Sequence, residues 1–273
     1  MRLFIFIFLL LSREGYSQQR IIDHAVITTI SSVNMPDAGS APPPPPGIPG
    51  GGDQMIVING IAAGEDNKVI TWYSDNLIKI VTDMGMGRNT IIIDTKNKRT
   101  TTLIEAMGTK TGFYSTEEDD KELKKRLDSL TGTKKNEISN VLIDYINPNV
   151  TKKISGFECK KALIKTVHEN GIIDSQYVWY TPSIKMGAGF SFKSGMMAST
   201  IFQGFDKLDG FPVKYETITL RGMKITVEVI KVDTEKIIDK KEFEIPKDFV
   251  VKAMKDMQGS GAPGTFQLRI GGH

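Results

Sequence analysis

Cysteine and histidine are both scarce in this 273-residue chain, and their scarcity excludes several kinds of site. The single cysteine, Cys159, rules out an internal disulfide framework. The three histidines, His24, His168 and His273, have no spacing that suits a metal ion and offer little to a catalytic nucleophile. We therefore predict a protein without a cofactor, a metal centre or enzymatic activity.

A large excess of charge is also missing, because the formal net charge is only +3. Such a balance argues against nucleic acid, or an anionic membrane, as the main partner. The apolar run at residues 3–11 is too short to span a bilayer, which takes roughly 20 residues, and no other run approaches that length. The mature chain is therefore expected to contain no transmembrane span.

The N-terminal stretch "MRLFIFIFLLLSREGYS" has the layout of a secretory signal peptide. Arg2 supplies a positive start, residues 3–11 form the apolar core, and the small residues Gly15 and Ser17 precede a cleavage site. No cysteine lies near that site to accept a lipid. We predict a signal peptide at 1–17 and a periplasmic or secreted protein, with a buried strand or a short anchor helix as the alternative.

Proline and glycine concentrate in two stretches. The first, 34–53, contains five consecutive prolines followed by glycines, and the second, 258–273, is rich in glycine. Prolines fix the backbone while glycines loosen it, so neither stretch is expected to pack. We predict a loop at 34–53, with a ligand for a proline-binding domain as the alternative, and a flexible tail at 258–273.

Short β-rich runs separated by turn residues dominate the remainder of the chain. Residues 20–33 form the first of them, and several follow at close spacing between 54 and 107. The polar stretch "DTKNKR" (94–99) predicts a hairpin turn, as does "ENG" (169–171), and a last hairpin is predicted to turn at Arg221–Gly222. Strands at this spacing, with no helix between them, predict an antiparallel sheet.

Two or three helices are predicted beside the sheet. The first spans 114–132, where Ser115 and Glu118 have capping-box spacing and leucines repeat at helical spacing. A second is predicted around Met196–Phe202, and a third is predicted to begin near Pro246. Because the helices are separate from the runs of strands, the pattern predicts a mainly β or α+β fold rather than an alternating α/β fold.

Three stretches together resemble an uncharacterised family of exported bacterial proteins, the domain of unknown function 4412. They are "ISGFECKKALI…VWYTPSI" (154–184), "LDGFPVKYE" (208–216) and "MKITVEVIKVDTEKIIDKKEFEIPKDF" (223–249). That family is similar to the half-barrel of the lipoprotein-localisation factors LolA and LolB. The resemblance implies one LolA-like domain at 18–257, in which a curved antiparallel sheet carries two or three helices over its concave side.

A half-barrel of this kind would enclose an apolar hollow that could bind an acyl chain, because burial of apolar surface is favourable by about 25 cal/mol per Å². The resemblance therefore implies an exported carrier of a lipid or lipoprotein acyl chain. The alternative is a structural or protein-interaction module of the cell envelope with a packed, ligand-free core. Candidate residues for the hollow are aromatic residues and methionines that could equally fill the core: Trp72, Phe157, Trp179, Phe192, Met196, Met197 and Phe202.

Cys159 lies within an apparent strand of the exported chain. We predict that it is buried on the inward face of the sheet, where it packs as a small apolar side chain. An intermolecular disulfide and a reactive nucleophile are the alternatives. His168 is nine residues away along the same run, which is ~30 Å in a continuous strand and too far to activate the thiol.

Overall fold

The structure is a computed structural model that describes residues 19–34, 66–83, 87–122, 125, 138–169, 171–188, 190, 204–218 and 224–257. These residues contain fifteen strands. They are β1 (Arg20–Ile22), β2 (His24–Asn34), β3 (Asp66–Ser74), β4 (Leu77–Asp83), β5 (Gly87–Asp94), β6 (Arg99–Ala106), β7 (Thr109–Thr116), β8 (Ile138–Ile146), β9 (Lys152–Ile154), β10 (Phe157–His168), β11 (Ile173–Thr181), β12 (Ile184–Met186), β13 (Phe211–Ile218), β14 (Lys224–Asp233) and β15 (Val250–Ala253).

Thirteen of these strands form one large sheet in the order β15-β7-β6-β5-β4-β3-β2-β14-β13-β11-β10-β8, with β9 paired to β10. Neighbouring strands are antiparallel, except that β15 runs parallel to β7. β1 and β12 form a separate parallel pair. The mainly β, antiparallel prediction is confirmed, and the path of the large sheet ends at β15 and β8 without closing on itself.

The predicted hairpins are confirmed where they fall on described residues. Asp94 and Arg99 close the β5–β6 turn, where the Asp94 carboxylate accepts from the backbone N–H of Asn97 at 2.8 Å and from its side-chain amide at 2.7 Å. β10 pairs with β11 across the turn at 169–171. β13 pairs with β14 as expected, although the turn at Arg221–Gly222 lies outside the described residues, as do the loop at 34–53, the tail at 258–273 and the predicted signal peptide.

Three strands of the large sheet were not predicted: β7, β8 and β15, the last of which falls where a helix was expected. β7 has the sequence TKTGFYST, whose threonines and central glycine weaken the apolar alternation by which strands are recognised. It follows β6 through a two-residue turn at Met107 and Gly108, both with positive φ (50° and 77°). That conformation matches the primed turns that favour hairpins. β8 was overlooked because its apolar residues are not strictly alternating.

The helix predictions are only partly confirmed. Residues 117–122 and 125 are helical, and the helix begins one residue later than the capping box predicted. Thr116 and Asp119 cap it: the hydroxyl of Thr116 accepts from the N–H of Asp119 at 3.3 Å, and the Asp119 carboxylate accepts from the N–H of Thr116 at 2.8 Å.

The helix predicted after Pro246 is wrong. Residues 250–253 extend as β15 against β7, since the β-branched Val250 and Val251 favour a strand and β7 offers a free edge. Apart from the helix after β7, the described ranges contain only three short 3-10 turns, and they show no layer of helices over one side of the sheet.

Side chains alternate between two faces of the large sheet. Tyr73 lies opposite Ala25 on β2 and Ile78 on β4, and all three point to the face that we call the strap face. Trp72 lies opposite Lys79 and points to the other face, called the reverse face. Both faces bury apolar side chains, but the segments that cover them differ.

Candidate ligand-binding site

A segment that we call the strap, residues 184–208, is held against the strap face at both ends. At its first end, Met186 and Phe190 pack against a buried cluster formed by strands β3, β4 and β5. The Phe190 ring meets the Tyr73 ring edge-on, with 5.1 Å between centroids and 83° between planes. That geometry is the favourable one for two aromatic rings. The cluster consists of Tyr73, Ile78, Ile91 and Ile93.

Gly187 allows the first end of the strap to approach the sheet. Its N–H donates to the carbonyl of Ile22 at 2.8 Å. A Cβ at this position would lie 2.5 Å from Oδ1 of Asp23 and 3.1 Å from the Tyr73 hydroxyl, so a larger residue would have to displace the Asp23 carboxylate. Burial, together with the negative charges of Asp23 and Asp75, raises the pKa of Tyr73, and the phenol therefore stays protonated at neutral pH.

The second end of the strap is anchored by Phe205 and Leu208. Both are buried among strap-face residues of β10, β11 and β13. The Phe205 ring lies 4.8 Å from the Tyr215 ring at 71°, again edge to face. Burial raises the pKa of Tyr180 to about 12 and also raises the pKa of Tyr215. The cluster consists of Ala162, Ile164, Val178, Tyr180, Phe205, Leu208 and Tyr215.

Gly204 brings the second end close to the sheet, as Gly187 does at the first. Its φ is +83°, a conformation that other residues rarely adopt. A Cβ there would lie 2.6 Å from Cγ1 of Val141 and 2.8 Å from Cγ2 of Ile164. Both ends of the strap therefore approach the sheet at a glycine, and the requirement for glycine is stricter at Gly204.

The predicted site residues divide into three groups. Phe192, Met196, Met197 and Phe202 belong to residues 191–203, between the two anchors, and lie outside the described residues. Phe157 packs against a buried cluster that includes Ile22, Ala25 and Ile27. Trp72 and Trp179 both lie on the reverse face. Trp179 nevertheless packs against the same buried cluster as Phe157, so the structure brings these two predicted residues together. Trp72 packs against a different cluster and lies apart from them.

The two tryptophans have different surroundings on the reverse face. Trp72 packs against a buried cluster of Ile92, Leu103 and Phe243, and the ammonium of Lys79 lies 5.2 Å from its ring centroid. Trp179 is partly exposed, with the ammonium groups of Lys152 and Lys161 at 5.6 and 5.7 Å. These distances fall within the range of cation–π attraction.

Cys159 is completely buried, as predicted. It shares a cluster with Ala25 and Ile27, which lie on the strap face, and its thiol lies 3.5 Å from the carbonyl oxygen of Phe157. Burial raises the pKa of the Cys159 thiol to about 11, so at neutral pH it is protonated and a poor nucleophile. The geometry agrees with a packing role.

A separate polar depression of about 440 Å³ lies where β4 and β6 end and β5 begins, bounded by Asp83, Arg88, Glu105 and Met107. Asp83 and Arg88 form an ion pair at 2.8 Å across it. The two charges neutralise each other, and this depression contains no nucleophile beside a base.

In the described ranges, histidine, cysteine and carboxylate side chains form no group of three that could hold a metal ion. Among those residues, too, no helix has the length and apolar character needed to cross a bilayer.

Residues 77–249 match the family model described as "Domain of unknown function (DUF4412)". The chain belongs to this family. No curated protein matches the sequence. The solved structures that resemble the DUF4412 chain include PNGF-II in the C2 space group, at 14% identity over 85% of this chain and 31% of the other, with a TM-score of 0.37. Another is MucB in complex with MucA(peri), at 8% identity over 82% of this chain and 55% of the other, with a TM-score of 0.34.

The DUF4412 chain thus spans about a third of the PNGF-II chain that it matches. Scores this low assign neither a fold nor an activity to it. The family name states no function, so any function must be argued from the geometry.

Sequence reasoning missed the tyrosines that receive the strap. Tyr73, Tyr180 and Tyr215 are all at most 7% exposed, and each adjoins an apolar cluster on the strap face. Alternation could have found Tyr215, since Val213 and Tyr215 share a spacing of two in "FPVKYETI". Nothing local indicates that Phe190 and Phe205 are their partners, because those contacts depend on the path of the strap.

Proposed function

We propose that this DUF4412 protein is exported, has no enzymatic activity and binds a hydrophobic ligand between the strap and the strap face. The ligand class is a lipid or the acyl chain of a lipoprotein, held in a half-barrel hollow. The observation that carries the proposal is the double anchorage of the strap: Phe190 and Phe205 each contact a tyrosine of the same sheet face.

The composition of the strap supports this ligand class. Residues 191–203 contain two phenylalanines, Phe192 and Phe202, and two methionines, Met196 and Met197. Methionine is flexible and polarizable, which suits an acyl chain of variable shape. Each methylene that leaves water contributes ~0.8 kcal/mol, so a long chain could bind without specific polar contacts.

The surroundings of Tyr73 and Cys159 also favour binding over chemistry. Both groups have pKa values raised by burial, and both are therefore neutral at physiological pH. A catalytic nucleophile or acid would instead have a pKa shifted towards neutrality. Neutral, buried groups suit a site for an uncharged acyl chain.

The test begins with the purified protein, which is extracted with organic solvent and examined by mass spectrometry. We expect lipid at close to one molecule per chain. A fluorescent long-chain fatty acid then provides an affinity. Replacement of both methionines (Met196→Asp with Met197→Asp) should weaken binding at least tenfold, because a charge does not enter an apolar site unless it is neutralised.

The matched control is Trp72→Leu, which alters an aromatic residue on the reverse face and should leave fatty-acid affinity unchanged. Circular dichroism shows whether each variant is folded. Protein that carries no lipid and binds no fluorescent fatty acid would contradict the proposal. The DUF4412 chain would then be a structural or interaction module of the cell envelope with a packed core.

A further inference from the structure

The reverse face of β8, β10 and β11 carries exposed apolar side chains in a folded region. Among the described residues, twelve large apolar side chains are exposed, and six of them lie between 142 and 177. Three of the six alternate onto the reverse face: Leu142 at 47% exposure, Ile173 at 57% and Tyr177 at 52%. We call the surface that these three form with Lys152, Lys161 and Trp179 the lysine–aromatic face.

Lysine side chains lie among the aromatic rings of this face. The ammonium of Lys161 is 4.2 Å from the Tyr177 centroid and 5.7 Å from the Trp179 centroid. The ammonium of Lys152 also lies near the Trp179 ring, 5.6 Å from its centroid. A row of Tyr, Lys and Trp side chains therefore presents apolar rings and positive charge together.

Three carboxylates on the reverse face pair with lysines that lie outside the lysine–aromatic face. Asp144 contacts the ammonium of Lys165 at 2.6 Å, and Glu228 contacts Lys214 at 2.7 Å. Glu216 is likewise paired with Lys224 at 2.9 Å. Lys152 and Lys161 both lie against aromatic rings, and Lys152 also helps to lower the pKa of Glu228, after the hydrogen bonds from Lys214 and Ser155. The face is therefore positive, although the whole chain has a net charge of only +3.

We propose that the lysine–aromatic face docks the protein onto an anionic lipid bilayer. Tryptophan and tyrosine favour the interface between water and hydrocarbon, and lysines near an anionic surface each add about 1 kcal/mol of attraction. The exposed apolar residues come from β8 and β11, on either side of β10, so they form a broad surface rather than a line along one strand. A broad surface suits a flat bilayer better than an extended peptide.

The hairpin tip adds a second element to this docking surface. Ile172 and Ile173 follow the β10–β11 turn and are 52% and 57% exposed. Two adjacent exposed isoleucines can enter the headgroup region while the lysines stay at its surface. The docking face lies on the side of the sheet opposite the anchors Phe190 and Phe205, so docking does not depend on a ligand at the strap face.

The experiment measures co-sedimentation of the full chain with vesicles of phosphatidylcholine alone and of phosphatidylcholine mixed with phosphatidylglycerol. We expect binding to the mixed vesicles, decreasing as salt is added, and little binding to the neutral ones. Lys161→Glu should lower the affinity for mixed vesicles at least tenfold, since it reverses a charge near the surface. Lys252→Glu, on the exposed side of β15, is the matched control and should have little effect.

A fluorescence measurement reports the orientation. In a Trp72→Phe background Trp179 is the one remaining tryptophan, and its fluorescence emission should shift to shorter wavelength with mixed vesicles and not with neutral ones.

Three outcomes would overturn the proposal: equal vesicle binding by Lys161→Glu and Lys252→Glu, an unchanged Trp179 emission spectrum, or no sedimentation with any vesicle. Binding of poly-glutamate without vesicle binding would also overturn it, and would indicate an acidic protein partner. Fatty-acid binding measured without vesicles should be unaffected by Lys161→Glu, which separates this test from that of the proposed function.

Discussion

The two ends of the large sheet are built from similar antiparallel hairpins but are covered differently. At the end formed by β3 to β7, the reverse face is covered by the chain that leads into β15, and Phe243 packs there against Ile92 and Leu103. At the end formed by β8, β10 and β11, the strap face is covered by Phe205 and Leu208, whereas the reverse face exposes Tyr177 and Leu142. We call these the double-covered end and the single-covered end.

The difference arises from the connecting segments rather than from the strands. β5 and β11 each place apolar residues on both faces, as Ile91 and Ile92 do in β5 and Val178 and Trp179 do in β11. Burial of the second face requires a segment that crosses it. Among the residues that the structure describes, 234–249 supply that segment at one end only, and the described strands of the other end keep an exposed surface of the kind that binds partners.

The largest expected effect is on stability, from removal of the one cover at the single-covered end. Phe205→Ala should lower the free energy of unfolding by about 3–5 kcal/mol, because it empties a site that is fully buried. Phe243→Ala should cost less, since Phe243 retains 8% exposure and the same end stays covered on its strap face. Urea unfolding measures both values.

The control for this pair is Ile237→Ala, because Ile237 is 92% exposed and should change stability by no more than about 0.5 kcal/mol. A larger loss in the free energy of unfolding from Phe243→Ala than from Phe205→Ala would contradict this prediction. The double-covered end would then depend more strongly on its covering segment than the single-covered end does.

A second prediction concerns the glycine at the second anchor. Gly204→Ala should destabilise the protein by about 2–4 kcal/mol, because it combines a strained positive φ with overlap onto Val141 and Ile164. Gly156→Ala is the matched control: its φ is +89°, but no atom lies within 4 Å of the added Cβ, so only the strain of about 1–2 kcal/mol applies. Thermal or urea unfolding of both variants gives the difference. Equal losses would show that the strap is not tightly held at Gly204.

Much of the sheet could be predicted from sequence because its strands have a clear local pattern of residues. "NTIIIDTKNKRTTTLIE" combines β-branched residues with a polar turn, and the β5–β6 hairpin forms there. β15 could not be predicted in the same way. Its four residues, Val250–Ala253, follow Pro246 closely, and a segment this short is compatible with either a strand or a helical turn. Its state is decided by the free edge of β7, which is more than a hundred residues away in the chain.

The candidate site was less predictable than the fold. The aromatic residues Trp72 and Trp179 were selected by size, and size does not specify on which face a side chain lies. The face follows from strand register, which links Trp179 to Lys161 and Lys214. The anchors of the strap at Phe190 and Phe205 depend on tertiary contacts with Tyr73 and Tyr215, for which the sequence contains no local signal.

Alkaline pH should destabilise the protein through its buried acids at the single-covered end and next to it. Burial raises the pKa of Cys159 to about 11 and that of Tyr180 to about 12, and it raises the pKa of Tyr215 as well. Above roughly pH 9 the unfolded chain loses these protons first, so the stabilisation present at neutral pH decreases as pH rises towards the folded-state values.

The measurement is the urea midpoint between neutral pH and about pH 11, with tyrosine ionisation followed by ultraviolet absorbance. Tyr180→Phe removes one of the groups and should make the alkaline decline shallower. A decline of unchanged slope in that variant would contradict the assignment to Tyr180.

The smallest expected effects on stability come from two ion pairs on the reverse face. One pair, Glu228–Lys214, has a further hydrogen bond from Ser155, whereas Asp144–Lys165 is an exposed pair. Glu228 accepts hydrogen bonds from Lys214 and from the hydroxyl of Ser155, both at 2.7 Å, and these contacts lower the pKa of Glu228. Glu228→Gln should therefore cost about 1 kcal/mol. The contribution of the Glu228 charge to stability is present above the pKa of the unfolded state and is lost as pH falls through the lowered pKa of the folded state. The stabilities of wild type and variant should therefore converge in acid.

Asp144→Asn breaks a pair whose side chains are 38% and 53% exposed, and it should cost less than about 0.5 kcal/mol at any pH. A larger loss of stability from Asp144→Asn than from Glu228→Gln would contradict this order. It would mean that the exposed Asp144–Lys165 pair contributes more than the contacts of Glu228 with Lys214 and Ser155.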